Sequence, residues 1–222
     1  MGIKIAEYIL FILCSLGLAV LAAYYKWYYT KKKRSAVKEV LSKSKVFFPL
    51  CVCFYITSAV LGLVFYESKG LSFIELIQNL LIWDTFFLIA VIDYRLKKIP
   101  NHLIVFLLIA RVVIMLTEIF LAPELWVSIL ISSIVGMLAG GLIILACMLI
   151  SRGGVGAGDV KLYAVTGFCF GLTGVMAVMM YSLFLAAIAS IVLLISRKAK
   201  MKSSLPMAPF VFAGLSVYFI FL

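Results

Sequence analysis

Long apolar runs dominate the pattern along this chain, and short polar connections separate them. Breaks at charged residues, Gly or Pro divide the sequence into eight candidate helices, most of them long enough to cross a hydrocarbon core of roughly 30 Å. The pattern therefore predicts an all-α, polytopic membrane protein with about eight transmembrane helices. The predicted spans are about 5–25, 46–66, 73–92, 102–121, 125–150, 160–172, 174–195 and 206–222.

One apolar stretch, residues 160–195, is too long for a single membrane helix. Gly171 and Gly174 offer a turn within it, because two nearby glycines interrupt a helical pattern. We therefore expect a short helix and then a full-length one.

Basic residues are concentrated in alternate connections between the predicted spans. All but Lys4, Lys69 and Arg111 of the 20 Lys and Arg residues lie in or next to four of these connections. The positive-inside rule places the four in the cytoplasm and both termini outside it. Topology thus accounts for the net charge of +11, and we predict the lipid bilayer, not nucleic acid, as a partner. The four connections are 26–45, 93–101, 151–159 and 196–205.

Composition supports the membrane assignment and limits the chemistry. The chain is 66% hydrophobic and only 13% charged, against roughly 25% charged in an ordinary soluble domain. Its five cysteines all lie in apolar runs, where we expect them to pack as small hydrophobic side chains. We predict no metal site and no cofactor.

Two aspartates at one predicted membrane border are the strongest candidates for chemistry. Asp93 ends the third span, just before a helix break at Pro100, and Asp159 follows a glycine-rich connection. A pair of carboxylates on different helices can activate water, one taking a proton and the other donating one. The residues alone leave another interpretation open, in which Asp159 is a helix N-cap and Asp93 balances nearby lysines.

Three motifs together resemble those of the type IV prepilin peptidases, which are bacterial GxGD aspartyl proteases. Their order, spacing and predicted side of the membrane all agree, and the resemblance covers about residues 80–222. The motifs are Ile92-Asp93 followed by Ile99-Pro100-Asn101, then Gly156-Ala157-Gly158-Asp159-Val160-Lys161-Leu162, and finally Leu205-Pro206-Met207-Ala208-Pro209-Phe210.

This resemblance implies an enzyme of the bacterial cytoplasmic membrane. Its substrates would be prepilins or pilin-like proteins, from which it removes a short basic leader at the cytoplasmic face. Asp93 and Asp159 would form the catalytic pair. The resemblance leaves open which pilin-like substrate is used and what the oligomeric state is.

Residues around the aspartates receive supporting roles. We assign Gly156, Gly158, Lys161 and Pro100 to substrate binding, since glycines let an extended backbone approach closely, although they also suit a merely flexible loop. The two prolines of the third motif, Pro206 and Pro209, receive a structural role at the start of the last helix.

The N-terminal part departs from the longer members of the family. Those members carry Cys-x-x-Cys pairs between the first two spans and also N-methylate the new amino terminus. Residues 26–45 hold no cysteine, so we expect neither methylation nor zinc. We predict a single membrane domain, 1–222, in which an N-terminal helix pair (1–72) precedes a peptidase core (73–222).

Two electrostatic hypotheses follow from residue positions. Asp84 and Arg111 lie at comparable depths on the antiparallel third and fourth spans, so we predict a buried ion pair between them. Asp93 lies near a helix C-terminus and Asp159 near a helix N-terminus. Because the helix dipole disfavours negative charge at the former and favours it at the latter, we expect Asp93 to carry the shared proton.

Two other functions remain possible on the sequence alone. A small proton- or cation-coupled transporter also needs acidic residues in membrane helices, but both motif aspartates lie at one face and not at the midplane. The second is a non-catalytic scaffold of a pilus or secretion machine. In a scaffold, changing either aspartate to asparagine would have no effect on function.

Overall fold

A computed structural model describes residues 47–70, 72–151, 154–196 and 205–221, and all regular secondary structure within them is helical. The predicted all-α class is thereby confirmed. The first predicted span, 5–25, and the basic loop 26–45 lie outside the described residues. The helices are α1 (Phe47–Lys69), α2 (Phe73–Leu96), α3 (Asn101–Leu121), α4 (Trp126–Ile150), α5 (Ala157–Ile195) and α6 (Ala208–Phe221), with a 3₁₀ turn, Pro123–Leu125, before α4.

Within the described residues, four helices are long and apolar enough to cross a membrane: α2, α3, α4 with the turn before it, and α5. The shorter α6, of 14 residues, is also apolar. The chain is therefore a multi-pass membrane protein. The total of eight spans and the external placement of both termini stay predictions.

Helix α5 consists of two helical segments that meet at Gly171. This glycine has φ 68° and ψ −169°, a left-handed backbone that residues with a Cβ rarely adopt. The Tyr163 hydroxyl lies 2.6 Å from Ser182 Oγ, although 19 residues separate them; along a straight helix they would be about 28 Å apart. The second segment thus folds back on the first, as the predicted division of 160–195 required.

Helices α4 and α5 approach each other so closely that their backbones touch. A Cβ at Gly167 would overlap the carbonyl group of Gly136, and a Cβ at Gly136 would overlap the Gly167 carbonyl oxygen. Small residues allow this approach between membrane helices, where packing replaces the hydrophobic effect as the driving force. The buried side of α4 is a stripe of mostly small residues at helical spacing, namely Ser133, Gly136, Gly140 and Ile144.

Two compact units divide the chain between Asp84 and Thr85, a point inside α2. In the first unit, the described contacts include the edge-to-face pair Phe54–Trp83, with ring centroids 5.8 Å apart. The second unit contains the rest of α2 and all of α3 to α6. The predicted division into an N-terminal helix pair and a peptidase core from residue 73 stays a prediction.

Packing of α6 against its neighbours completes the second unit. Val211 and Leu215 of α6 are fully buried, and Phe212 makes an edge-to-face contact with Phe87 of α2 at a centroid distance of 5.7 Å. This contact places the beginning of α6 beside the end of α2, where Asp93 lies.

We predict that Gly167→Ala destabilises the protein, because the added methyl group has no space between the α4 and α5 backbones. Overpacking of this kind costs about 1–3 kcal/mol. The measurement is the Tm of the purified protein in detergent.

Gly141→Ala is the matched control, since a Cβ at that position on α4 meets only the Ala164 methyl group, at 3.3 Å. A Tm for Gly167→Ala as high as that of the control would contradict the close approach of the two backbones.

Candidate active site

Asp93 lies in the last turn of α2 and is only 4% exposed. After it the chain leaves the helix through Lys97, whose φ of 51° is left-handed and whose N–H donates to the Asp93 carbonyl oxygen at 2.7 Å. This is a common way for a helix to end, although glycine is the usual residue there. Pro100 then occupies the N-cap position of α3. The local sequence thus leaves Asp93 at a well-defined helix end.

The Asp93 carboxylate faces the first turn of α6. Its Oδ2 atom accepts a buried hydrogen bond from the Ala208 N–H at 3.0 Å, and the Met207 backbone also contributes. Pro206 and Pro209 flank these two donors. Pro209 is the second residue of α6, where a missing N–H leaves no helical hydrogen bond unmade.

Helix polarity therefore acts on Asp93 from two sides. The C-terminus of α2 disfavours a negative charge there, whereas the N-terminus of α6 favours one. Of these two helix ends, only the C-terminus of α2 entered the prediction that Asp93 carries the shared proton. Which of the two aspartates carries a shared proton stays a prediction that the α2 dipole alone does not decide.

Asp159 occupies the third position of α5, not the N-cap. The N-cap residue is Gly156, whose N–H donates to Asp159 Oδ2 at 3.1 Å, while the Asp159 N–H donates back to the Gly156 carbonyl oxygen at 3.0 Å. The side chain therefore makes the half of a capping box that an acid at the third position supplies. The alternative that treated Asp159 as the N-cap itself is wrong in this respect.

Asp93 and Asp159 line one cleft of about 470 Å³, and the charge of Asp93 acts on Asp159 within it. A cavity of this volume has room for water beside the two side chains. Acid–base activation of water needs two carboxylates that share such a cavity. No group of three or more His, Cys, Asp and Glu side chains suited to a metal ion occurs in the described residues.

The cleft includes most of the residues predicted to bind substrate. Gly156, Gly158 and Lys161 line it, whereas Pro100 does not, although its neighbours on both sides do. Sequence reasoning assigned no role to several lining residues. These are Lys97, Lys98, Ile99, Asn101, Ala157, Leu205 and Met207.

Among the missed residues, Asn101 makes a long-range contact within the cleft. Its Oδ1 atom accepts a hydrogen bond from Lys161 Nζ at 3.0 Å, across 60 residues of sequence. Two features of the sequence indicated it: Asn101 belongs to the first of the three quoted motifs, and it begins a helix directly after the Pro100 break.

Arg111 forms a salt bridge with an acid on its own helix. Its Nη1 atom lies 2.9 Å from Glu118 Oε1, seven residues and about two turns along the same face of α3. Asp84 is fully buried, and neither of its carboxylate oxygens has a hydrogen-bond partner among the described residues. Asp84 and Arg111 belong to different compact units, and the predicted ion pair between them stays a prediction. The Glu118 side chain is itself only 23% exposed.

These features define a polytopic membrane protein with an aspartate pair in a cleft at helix ends. Residues 80–195 match the Type IV leader peptidase family, and the chain belongs to this family. The match contains Asp93, Asp159 and the glycine-rich segment between α4 and α5, and it covers just over half of the chain.

A similar protein from Bacillus subtilis (strain 168), a prepilin leader peptidase/N-methyltransferase, is 30% identical over 155 residues. The alignment covers 67% of this chain and 58% of the relative, so the chain matches a little over half of that protein's length. No solved structure matched the chain.

We predict that Glu118→Gln destabilises the protein, because it replaces the carboxylate that pairs with the buried Arg111 guanidinium by a neutral amide. A hydrogen bond to a charged group is worth about 2 kcal/mol, and Glu118 is partly exposed, so the loss is of that order. The measurement is the detergent Tm. Glu124→Gln, which changes an exposed acid in the turn after α3, is the control; equal Tm values for the two variants would argue against a stabilising pair.

Proposed function

We propose that this protein is an intramembrane aspartyl endopeptidase that removes the short basic leader from type IV prepilins or pilin-like proteins. The observation that carries the proposal is that Asp93 and Asp159 line the same cleft. Family membership supports it. The site of action is the cytoplasmic face of the bacterial cytoplasmic membrane, where the positive-inside rule places both aspartates.

The position of the cleft suits a peptide bond at a membrane border. Asp93 ends one membrane helix and Asp159 begins another, so both carboxylates lie where apolar helix gives way to polar loop. A substrate with a charged leader and an apolar stem changes character at the same depth. Its scissile bond, between those two parts, would enter the cleft while the stem stays in the lipid.

In the proposed mechanism the two carboxylates divide the proton transfers. One carboxylate takes a proton from water as the oxygen attacks the scissile carbonyl carbon, and the other, initially protonated, donates to the carbonyl oxygen. The resulting tetrahedral diol breaks its C–N bond when a proton reaches the leaving amine. Backbone donors orient both acids: Ala208 acts on Asp93, and Gly156 acts on Asp159.

We predict that Asp93→Asn and Asp159→Asn each abolish leader removal. Loss of a general acid or base lowers the rate about 100- to 10,000-fold, and neither amide can take a proton from water. The measurement is the mass of a prepilin co-expressed with each variant, with membrane insertion and protein amount monitored in parallel.

Asp84→Asn is the matched control, because it makes the same change on α2 outside the cleft, and we expect cleavage to continue. Cleavage that survives Asp93→Asn or Asp159→Asn would remove that residue from the catalytic pair. Full activity of both variants would favour the scaffold or the transporter.

We further predict that the product's new amino terminus is not methylated. The five cysteines of the chain form no Cys-x-x-Cys pair, so the segment associated with methylation in longer family members has no counterpart at residues 26–45. Mass spectrometry of the mature product, formed in the presence of a methyl donor, measures this directly. The Bacillus subtilis relative is the positive control, and a methyl group on the product of this chain would contradict the prediction.

A further inference from the structure

The turn after α2 contacts the first turn of α5 inside the cleft. Gly158, at the beginning of α5, lies against the Ile99 side chain: a Cβ at 158 would be 3.1 Å from Ile99 Cβ and 3.3 Å from both Cγ1 and Cδ1. The backbone of Gly158 does not have a positive φ. Glycine is thus favoured at this position by lack of space and not by backbone conformation.

A hydrogen bond between the same two segments lies next to the contact of Gly158 with Ile99. Lys161 Nζ donates to Asn101 Oδ1 at 3.0 Å, which joins the second turn of α5 to the first residue of α3. Two helical residues are about 200° apart around the axis, so Lys161 extends from a different side of α5 than the Asp159 carboxylate. The hydrogen bond can therefore orient the helix without occupying the catalytic group.

We propose that Ile99, Asn101, Gly158 and Lys161, here called the inter-turn contact, set the position of Asp159 relative to Asp93. The inference rests on the proposed function and assigns these four as positioning residues for the aspartate pair. It gives Gly158 and Lys161 a role different from the substrate binding predicted from sequence.

The path between the two carboxylates explains why this contact matters. The Asp93 carboxylate accepts a hydrogen bond from the backbone of α6, and Ile99 lies only six residues after Asp93. Through the inter-turn contact, the same short segment also touches the first turns of α5. Asp93 and Asp159 are thereby connected through a few contacting residues, whereas 65 residues of chain separate them in the sequence. Displacing a reacting group by about 1 Å can cost about 100-fold in rate.

The main test is a double-mutant cycle on cleavage of a purified prepilin by the full chain in detergent. Asn101→Ala and Lys161→Met should each lower kcat by about 10-fold or more, with KM nearly unchanged, because they shift the catalytic pair and not the bound substrate. The double variant should be no slower than the slower single variant. Losses that multiply, or that appear mainly in KM, would overturn the proposal.

Lys98→Met is the charge-matched control, because Lys98 lines the cleft but has no part in the inter-turn contact. Its effect should multiply with that of Asn101→Ala, since the two residues act independently. The opposite result is that the kcat losses from Lys98→Met and Asn101→Ala are as strongly coupled as those from Lys161→Met and Asn101→Ala. That result would show a general effect of charge and would contradict a specific contact.

A second test uses packing and needs no change of charge. Gly158→Ala should lower kcat by forcing Ile99 away, and adding Ile99→Ala should restore part of the loss by removing two of the three nearest atoms. No recovery, or a loss in KM alone, would favour a substrate-binding role for Gly158 and overturn this part of the proposal.

Asp159→Asn in the same assay separates this inference from the proposed function. If cleavage survives that change, there is no catalytic pair to position and both proposals fail. If the change abolishes cleavage while the Asn101 and Lys161 effects multiply, only the inter-turn contact fails as a positioning element.

Discussion

Hydrocarbon offers no hydrogen bonds to a polypeptide, and this constraint determines where polar chemistry can occur in the chain. Inside a helix every backbone N–H is already paired, so the unpaired donors are confined to the first turn. In this protein the first turns of α5 and α6 each use such a donor to orient a carboxylate. Gly156 donates to Asp159, and Ala208 donates to Asp93. The candidate site is therefore assembled from helix ends, which are the parts of the backbone that the membrane leaves available.

Much of the architecture follows from the local sequence. Apolar run length fixes the helices, because each must match the bilayer, and the described helix limits agree with the predicted spans to within a few residues. The turn in α5 was predictable for the same reason: a 39-residue apolar helix is too long, and Gly171 is one of two nearby glycines at which it could fold. Asp93 and Asp159 were found because their charge interrupts these runs at one face.

The contacts that orient those aspartates could not be found in this way. Ala208 is 115 residues from Asp93, and Lys161 is 60 residues from Asn101, so no periodicity within a span connects them. Arg111 shows that depth alone is an incomplete guide to partners. Matching depths suggested an acid on the neighbouring helix, but Glu118, which Arg111 contacts, lies two turns away on its own helix, within reach of a long side chain. Depth restricts the possible partners, but side-chain reach and rotation about the helix axis select among them.

The use of main-chain donors at Asp93 affects how freely the nearby sequence can vary. Any residue except proline supplies an N–H, so the identities of Met207 and Ala208 are not what supplies the hydrogen bonds to the carboxylate. A substitution at Met207, which lines the cleft, can therefore change the shape of this wall without removing the donor to Asp93. Ala208 is fully buried, so packing still restricts the size of its side chain. Proline at 207 or 208 is the exception, because it would delete one donor outright. In this part of the site, the hydrogen bonds to Asp93 therefore depend on the path of the backbone and not on the side chains of residues 207 and 208.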